Sequence, residues 1–428
     1  MAFAAWDAGQ LPLDPAGFPL SDWPHLVGDV PTIGRGVTLA MPCVGLDALS
    51  VALAELRWPG PHIVKYAFDI DPELVTPLWS LHGPPIPGAV FKIGAAGNIL
   101  EEDISQWDRV DGTCAGPPCP PFSVIGSRQG NDDPRAAVHA RVTDILVDQG
   151  WKHSFFFIVE QVPGMMSRRS TASGDCSRSC WEDWIQELER RAPMWRVFPW
   201  HVNTSAWLPQ NRPRMYTIGL HASLARGHLL PPPTPASPCS LIDILHPGLP
   251  CIREVGLTPQ QRDNLAVAKA QAKRYPECLA TVSLDRNPAA KWSAGFGVHG
   301  TVMALRTGND LIWLLQHDGL SDRCKFSRCL HPMERCALQG FRAEQLAGLS
   351  KSGVLRTTGN AMSVPVVAAA FKRCMEVLVA RLGVGVPRAI PQRDQKRKMR
   401  RVAIKLLREH IALLESQEAL LRRMSGHG

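Results

Sequence analysis

The chain has 428 residues, is 45% hydrophobic and 20% charged, and carries a formal net charge of +8, a balance that suits a globular protein with a large core. No apolar run approaches the ~20 residues needed to cross a bilayer and the first residues lack the basic start of a secretory signal, so neither a membrane span nor a leader is expected. The charge is localised: from Arg388 to Gly428 there are eleven Lys and Arg against four Asp and Glu, which leaves the body nearly neutral.

Residues 1–36 are rich in Pro, Asp and Gly without a clear period and read as an irregular extension. Val37 to Met41 reads as a buried strand, followed by a turn at Cys43-Val44-Gly45 and a helix with Leu46, Leu49, Leu53 and Leu56 on one face. A second strand, His62 to Phe68, runs into Asp69-Ile70-Asp71-Pro72. An acidic residue at a strand end some two dozen positions after a turn glycine is where doubly wound folds hold ribose hydroxyls, although Asp before Pro also opens ordinary helices.

Beyond Glu101-Glu102-Asp103 and Val110 to Ala115, the chain enters Gly116-Pro117-Pro118-Cys119-Pro120-Pro121-Phe122-Ser123. Prolines on both sides fix the backbone and present one thiol in a rigid turn. A cysteine in a proline turn is also an ordinary structural element, but as a thiolate it is a strong nucleophile. After a helix opened by Asp133-Pro134-Arg135, the apolar strand Phe155 to Val159 ends at Glu160. The alternation predicts an α/β fold, a doubly wound and mainly parallel sheet with helices on both sides. Cys119 and Glu160 then both lie at carboxyl ends of strands, where such sheets bind ligands.

The order of segments from about Val37 to Lys372 resembles the cytosine-5 DNA methyltransferase family. Pro118-Cys119 is similar to that family's nucleophile loop, Glu160-Gln161-Val162 to its Glu-Asn-Val strand end, and Gln210-Asn211-Arg212-Pro213-Arg214 to its Gln-x-Arg-x-Arg segment. Glu334 to Phe341 and Gly359-Asn360-Ala361-Met362-Ser363-Val364-Pro365 resemble its last two motifs. The resemblance implies an S-adenosylmethionine-type methyltransferase sheet with a smaller target-recognition lobe, and methyl transfer to carbon 5 of a flipped cytosine in DNA. It gives Cys119 the attack on carbon 6, Glu160 the hydrogen bond to ring nitrogen 3, Arg214 the base carbonyl and Arg212 the shape of the same pocket. For the S-adenosylmethionine cofactor it implies Gly45 beneath the methionine end, Asp69 on the ribose, Asp103 on the adenine amino group and Asn360 at the far edge. A tRNA cytosine-5 methyltransferase shares these motifs, so RNA stands beside DNA as a partner. A catalytically silent nucleic-acid-binding homologue is the rival from another class, because Cys43 replaces a glycine, Pro120 the usual Gln and Gln161 the usual Asn.

By the same resemblance the catalytic domain runs over 37–220 and 301–386, with a target-recognition region over 221–300 that opens on Pro231-Pro232-Pro233-Thr234-Pro235. Within it, Asp285 to Pro288 and Ala294 to Gly300 read either as base-reading loops or as plain connectors. Twelve scattered cysteines point to reduced thiols in an intracellular compartment. Cys176 with Cys180, and Cys324, Cys329, His331 and Cys336, lack paired spacing, so no metal is expected. The tail from 387 carries Lys396 to Arg401, which suits phosphate contacts or a nuclear address, and then leucines every seven residues on one helix face.

Overall fold

The computed structural model describes residues 23–32, 36–83, 88–123, 130–167, 178–225, 238–246, 257–276, 278–289, 296–297, 300–305, 311–317, 324–346 and 348–382. The basic tail, the proline run at 231–235 and most of the 294–300 segment lie outside them.

Seven strands form the main sheet: β1 (Val37–Pro42), β2 (His62–Asp69), β3 (Val90–Ile93), β4 (Gly112–Ala115), β5 (Phe156–Gln161), β6 (Trp195–Asn203) and β8 (Pro213–His221), in the order β3-β2-β1-β4-β5-β8-β6. The first five run parallel, and β8 enters antiparallel between β5 and β6. Every residue of β4 and β5 is buried, as expected of strands covered by helices on both faces, which is why β5 opens as a continuous apolar run from Phe156 to Val159. The order turns back between β1 and β4, and the crevice beyond their carboxyl ends is the ligand position in such sheets.

Helices complete the layers. α1 (Ala48–Glu55) follows β1 and starts on Asp47, whose carboxylate accepts the Ser50 N–H. α2 (Ala136–Trp151) crosses between β4 and β5, and α3 (Cys180–Arg191) packs beside it through Trp184 and Leu188, with the Trp184 indole donating to Thr143. The last described helix, α6 (Val364–Leu382), is buried along most of its length, and Phe371 meets Trp58 and Phe156 edge to face. Residues 23–32 belong to this layer too. They include a short helix at Pro24–Val27, a fully buried Trp23 whose indole donates to the Gly340 carbonyl, and a Val27 carbonyl that accepts from Lys372. The extension drawn at 1–36 therefore contains a docked segment, because its spaced apolar residues fit the groove beside α6 rather than a period of their own.

A smaller lobe is built on an antiparallel sheet, in the order β10-β9-β12-β13, of β9 (Leu279–Ser283), β10 (Phe296–Gly297), β12 (Ile312–His317) and β13 (Cys324–Cys329). Helix α4 (Pro259–Ala272) covers it through Leu265, Ala268 and Ala272. This sheet crosses the boundary expected at residue 300 and runs on to Cys329, because β12 pairs with both β9 and β13. A two-stranded ladder of β7 (Gln210–Asn211) and β11 (Val302–Met303) joins the lobes. Asp285, in the segment read either as a base-reading loop or as a connector, accepts from the Gln261 side chain and the Leu311 N–H and so ties the end of β9 to the start of β12.

Candidate active site

Cys119 lies four residues past β4 and Glu160 is the penultimate residue of the neighbouring β5, so the parallel pairing of these strands brings them together. The Cys119 carbonyl accepts the N–H groups of Phe122 and Ser123, which closes the loop into a tight turn. Beneath it Phe122 is buried and meets the His139 ring edge to face. Burial pulls that imidazole down to about 4, so it stays neutral packing. The Gln161 side chain donates to the Pro117 carbonyl at 3.1 Å, tying the strand end to the nucleophile loop. The replacement of the usual Asn by Gln thus leaves the loop supported.

β8 pairs antiparallel with β5 and sets Tyr216 opposite Glu160. Arg214, two residues earlier, brings its Nε to 2.7 Å from Glu160 Oε1. The N–H does not aim along this contact, and Oε1 has no aligned hydrogen-bond donor, so the contact is an ion pair held at close range. Oε2 lies on the Gly116 side. Glu160 is 5% exposed and Arg212 1%. Arg212 donates to the carbonyls of Leu305, Gly359 and Ala361 at 2.9 to 3.0 Å, and burial pulls its guanidinium down to about 9. All three acceptors belong to distant chain segments, so Arg212 is a tie between the main sheet, the small lobe and the loop carrying Asn360. The half-buried Cys119 thiol is pushed up by burial first and by the Glu160 carboxylate second, while Arg214 and Arg212 pull it down.

On the other side of the crevice, Gly45 donates its N–H to Asp69 Oδ2 at 2.9 Å and Asp71 donates to Oδ1 at 3.0 Å. Burial raises the Asp69 carboxyl, and these two N–H groups oppose it. The turn is unusual because Cys43 adopts a φ of 60°, the left-handed conformation where glycine is at ease. A Cβ at Gly45 would meet nothing within 4 Å, so the turn faces open space. A Cβ at Gly97 would collide with the main-chain oxygens of Asp69 and Lys92. That close approach sets Gly97-Asn98 against the end of β2. Asp103, five residues further on, is exposed, and its carboxylate accepts from Ser105 N and Oγ. These local bonds hold its carboxyl below the usual range. Asn360 is exposed at the end of α5 (Lys351–Asn360), between the two carbonyls that Arg212 binds.

The sequence profile of the family described as C-5 cytosine-specific DNA methylase matches residues 66–376, well over half of the chain. The chain belongs to that family. Type II methyltransferase M.FnuDI of Fusobacterium nucleatum is 32% identical over 127 residues, which cover 29% of this chain and 33% of that protein. Type II methyltransferase M.HpaII of Haemophilus parainfluenzae is 24% identical over 287 residues, covering 66% of this chain and 77% of that one. A solved structure of a Spodoptera frugiperda DNMT2 mutant superposes with a TM-score of 0.52 at 14% identity, covering 79% of this chain and 99% of that one. At that identity the likeness speaks for the fold, the same mixed, mainly parallel seven-stranded sheet.

The methylase family depends on S-adenosylmethionine, and the residues present suit such a group. A carboxylate presented by two backbone N–H groups, open space above the Gly45 turn, and Ile70 standing 68% exposed next to Asp69 form a polar notch beside an apolar face. Ile70 was not among the residues singled out from sequence, since an isoleucine at a strand end looks like core until its exposure is known. Tyr216 was likewise invisible as a support, because its bond to Ser363 joins residues far apart in the chain, and Gln161, named for replacing the usual Asn, shows its bond to Pro117 only in the fold. Among the described residues no group of three or more His, Cys, Asp or Glu side chains could hold a metal, and no helix is long and apolar enough to cross a membrane. Cys329 and Cys336 are buried, and the Cys336 thiol donates to the Pro332 carbonyl.

Proposed function

We propose that this methylase-family chain transfers a methyl group to carbon 5 of cytosine in DNA through a covalent bond between Cys119 and the base. The observation that carries the reading is the convergence of the Cys119 loop with the Glu160–Arg214 ion pair at adjacent strand ends. A duplex base cannot reach a thiol in a crevice, so the target cytosine leaves the stack.

Cys119 attacks carbon 6 as the thiolate, and the ring's π electrons move toward nitrogen 3 and the carbonyl oxygen. Glu160 donates a proton or hydrogen bond at nitrogen 3, and Arg214 steadies the charge on the carbonyl oxygen. Carbon 5 then becomes nucleophilic and takes the methyl group. Water then takes the carbon-5 proton, the electrons of that C–H bond expel the Cys119 sulfur as thiolate, and the proton given to nitrogen 3 returns to Glu160, which restores the aromatic ring. Arg212 holds the pocket wall through its three carbonyl partners. When bound, S-adenosylmethionine supplies an electrophilic methyl on a sulfonium. Gly45 would lie under its methionine end, Asp69 would hold the ribose hydroxyls, Ile70 would give the adenine an apolar contact, and Asn360 would border the far edge. Asp103, exposed and with one carboxylate oxygen held by Ser105, would meet the adenine amino group.

The test offers the protein labelled S-adenosylmethionine with duplex DNA or tRNA containing 5-fluorocytosine, whose fluorine blocks release of the methylated adduct. A labelled adduct on DNA that disappears in Cys119→Ala is the expected result. An adduct on tRNA alone would move the substrate to RNA. Intact nucleic-acid binding with no adduct and no cofactor binding would make the chain a silent binder.

A further inference from the structure

Three carboxylates gather where β2 ends: Asp69, Asp71 and, one turn on, Glu73. They are held differently. Asp69 is fixed by main-chain N–H groups, whereas Asp71 and Glu73 are fixed from outside by one guanidinium. Arg356 of α5 sets its Nε 3.0 Å from Asp71 Oδ2 and its Nη2 2.9 Å from Oδ1, and the same Nη2 lies 3.2 Å from Glu73 Oε1. Ser350, which caps α5, donates its hydroxyl to Glu73 Oε2 at 2.7 Å. The opposite end of the helix is held by Arg212, through the carbonyls of Gly359 and Ala361. One helix is therefore pinned to the cofactor-side strand by its first half and to the base-side strand by its end, with Asn360 at the second pin.

We propose that Arg356 is a positioning residue for the methyl donor. Its fork fixes the Asp71 side chain and, through the Asp71 main-chain N–H, orients the Asp69 carboxylate that receives the ribose. This rests on the reading above that Asp69 faces the donor. A planar guanidinium grips both oxygens of Asp71, which a lysine ammonium cannot do. Without that grip a second negative charge stands two residues from Asp69. Burial raises the Asp69 carboxyl most, the field of Asp71 adds to that and the field of Arg356 opposes it, so the guanidinium offsets the charge that its own partner places beside Asp69. The Arg356 and Asp71 side chains are 39% and 18% exposed, where solvent screens ion pairs and little global stability resides. The consequence falls on local geometry.

The test measures binding of S-adenosylmethionine and its demethylated product to the full chain by calorimetry, together with steady-state kinetics on the DNA that accepts methyl groups. Arg356→Gln is expected to raise donor Kd and KM by about 10-fold, the scale of one lost charge-assisted hydrogen bond, with kcat within about 2-fold. Asp71→Asn keeps an acceptor for the Glu73 N–H but removes the fork together with the charge beside Asp69, so it is expected to lose less donor affinity than Arg356→Gln. The double variant should then be no worse than Arg356→Gln, and Arg356→Lys should recover only part of the loss. Should Arg356→Gln fail to fold, Arg356→Lys and Asp71→Asn carry the same comparison. Wild-type donor affinity in these variants, or losses that add independently, would overturn the inference while leaving the methyltransferase reading intact. A wild-type protein that binds no donor would overturn both.

Discussion

The two walls of the crevice are built from different materials. On the base side the functional groups are ionisable side chains with little exposure, Glu160 at 5% and Arg212 at 1%, the first held by Arg214 and the second by carbonyls from distant segments. On the cofactor side the carboxylates sit at a strand end, oriented by backbone N–H groups and by a half-exposed arginine. Buried charges interact strongly and are costly to leave unpaired, while exposed ones are screened. Substitutions on the base wall should therefore strike turnover and stability, and those on the cofactor wall should strike donor affinity.

The largest effect is expected at the acid. Glu160→Gln keeps the volume but removes the proton donor and leaves Arg214 unpaired, so kcat should fall by roughly 10³-fold while adduct formation at Cys119 remains detectable by mass. A smaller loss, or one confined to KM, would show that the ion pair is structural. Arg212→Ala strands three buried carbonyls, and thermal or denaturant unfolding should record a loss of about 3 kcal/mol. Arg214→Ala has fewer bonds to lose and should damage kcat with much less effect on unfolding.

On the cofactor wall, Gly97→Ala would drive a methyl group into the Asp69 and Lys92 carbonyls. Backbone cannot move aside as a side chain can, so about 2 kcal/mol of stability should be lost, and donor KM should rise. A silent Gly97→Ala would mean that the β2 end is pliable. The smallest effect belongs to Gln161→Ala, which removes the single bond to Pro117. About 1 kcal/mol is at stake, read as a modest fall in the rate of adduct formation.

The pH profile sharpens the same contrast. Burial and Glu160 raise the Cys119 thiol above its ordinary range, and the thiolate is the reactive form. Adduct formation should therefore keep climbing with pH beyond the usual cysteine value of about 8.5. Because Arg214 pulls the thiol down, Arg214→Gln should move the rising limb to still higher pH. An unchanged limb would show that the guanidinium does not reach the thiol.

Much of the catalytic wall was legible from residues alone. The Pro-flanked Cys119, the Glu after five apolar residues and the two arginines appear in an order that resembles a family, and Glu160 sits at the end of a strand whose apolar run is visible in the sequence. The cofactor wall was less legible. Asp69 and Gly45 lie in a strand–turn–helix pattern and Asp103 follows only from the resemblance, while the close approach of Gly97 to β2 has no local signature. The lobe boundary at 300 failed for a similar reason. The strands on either side of it form one sheet by pairing across the intervening loops, and pairing is a non-local choice.

The sequence by itself determined the strand and helix order and the positions of Cys119 and Glu160 beyond and at strand ends, because periodicity and turn chemistry act over a few residues. Tertiary structure alone decided which residues support them: Gln161 on Pro117, Arg212 on three remote carbonyls, Arg356 on Asp71, Trp23 on Gly340. Those bonds join residues up to 317 positions apart. They exist only once the sheet has assembled in its crossed order and buried polar groups have had to find partners wherever the fold brings them.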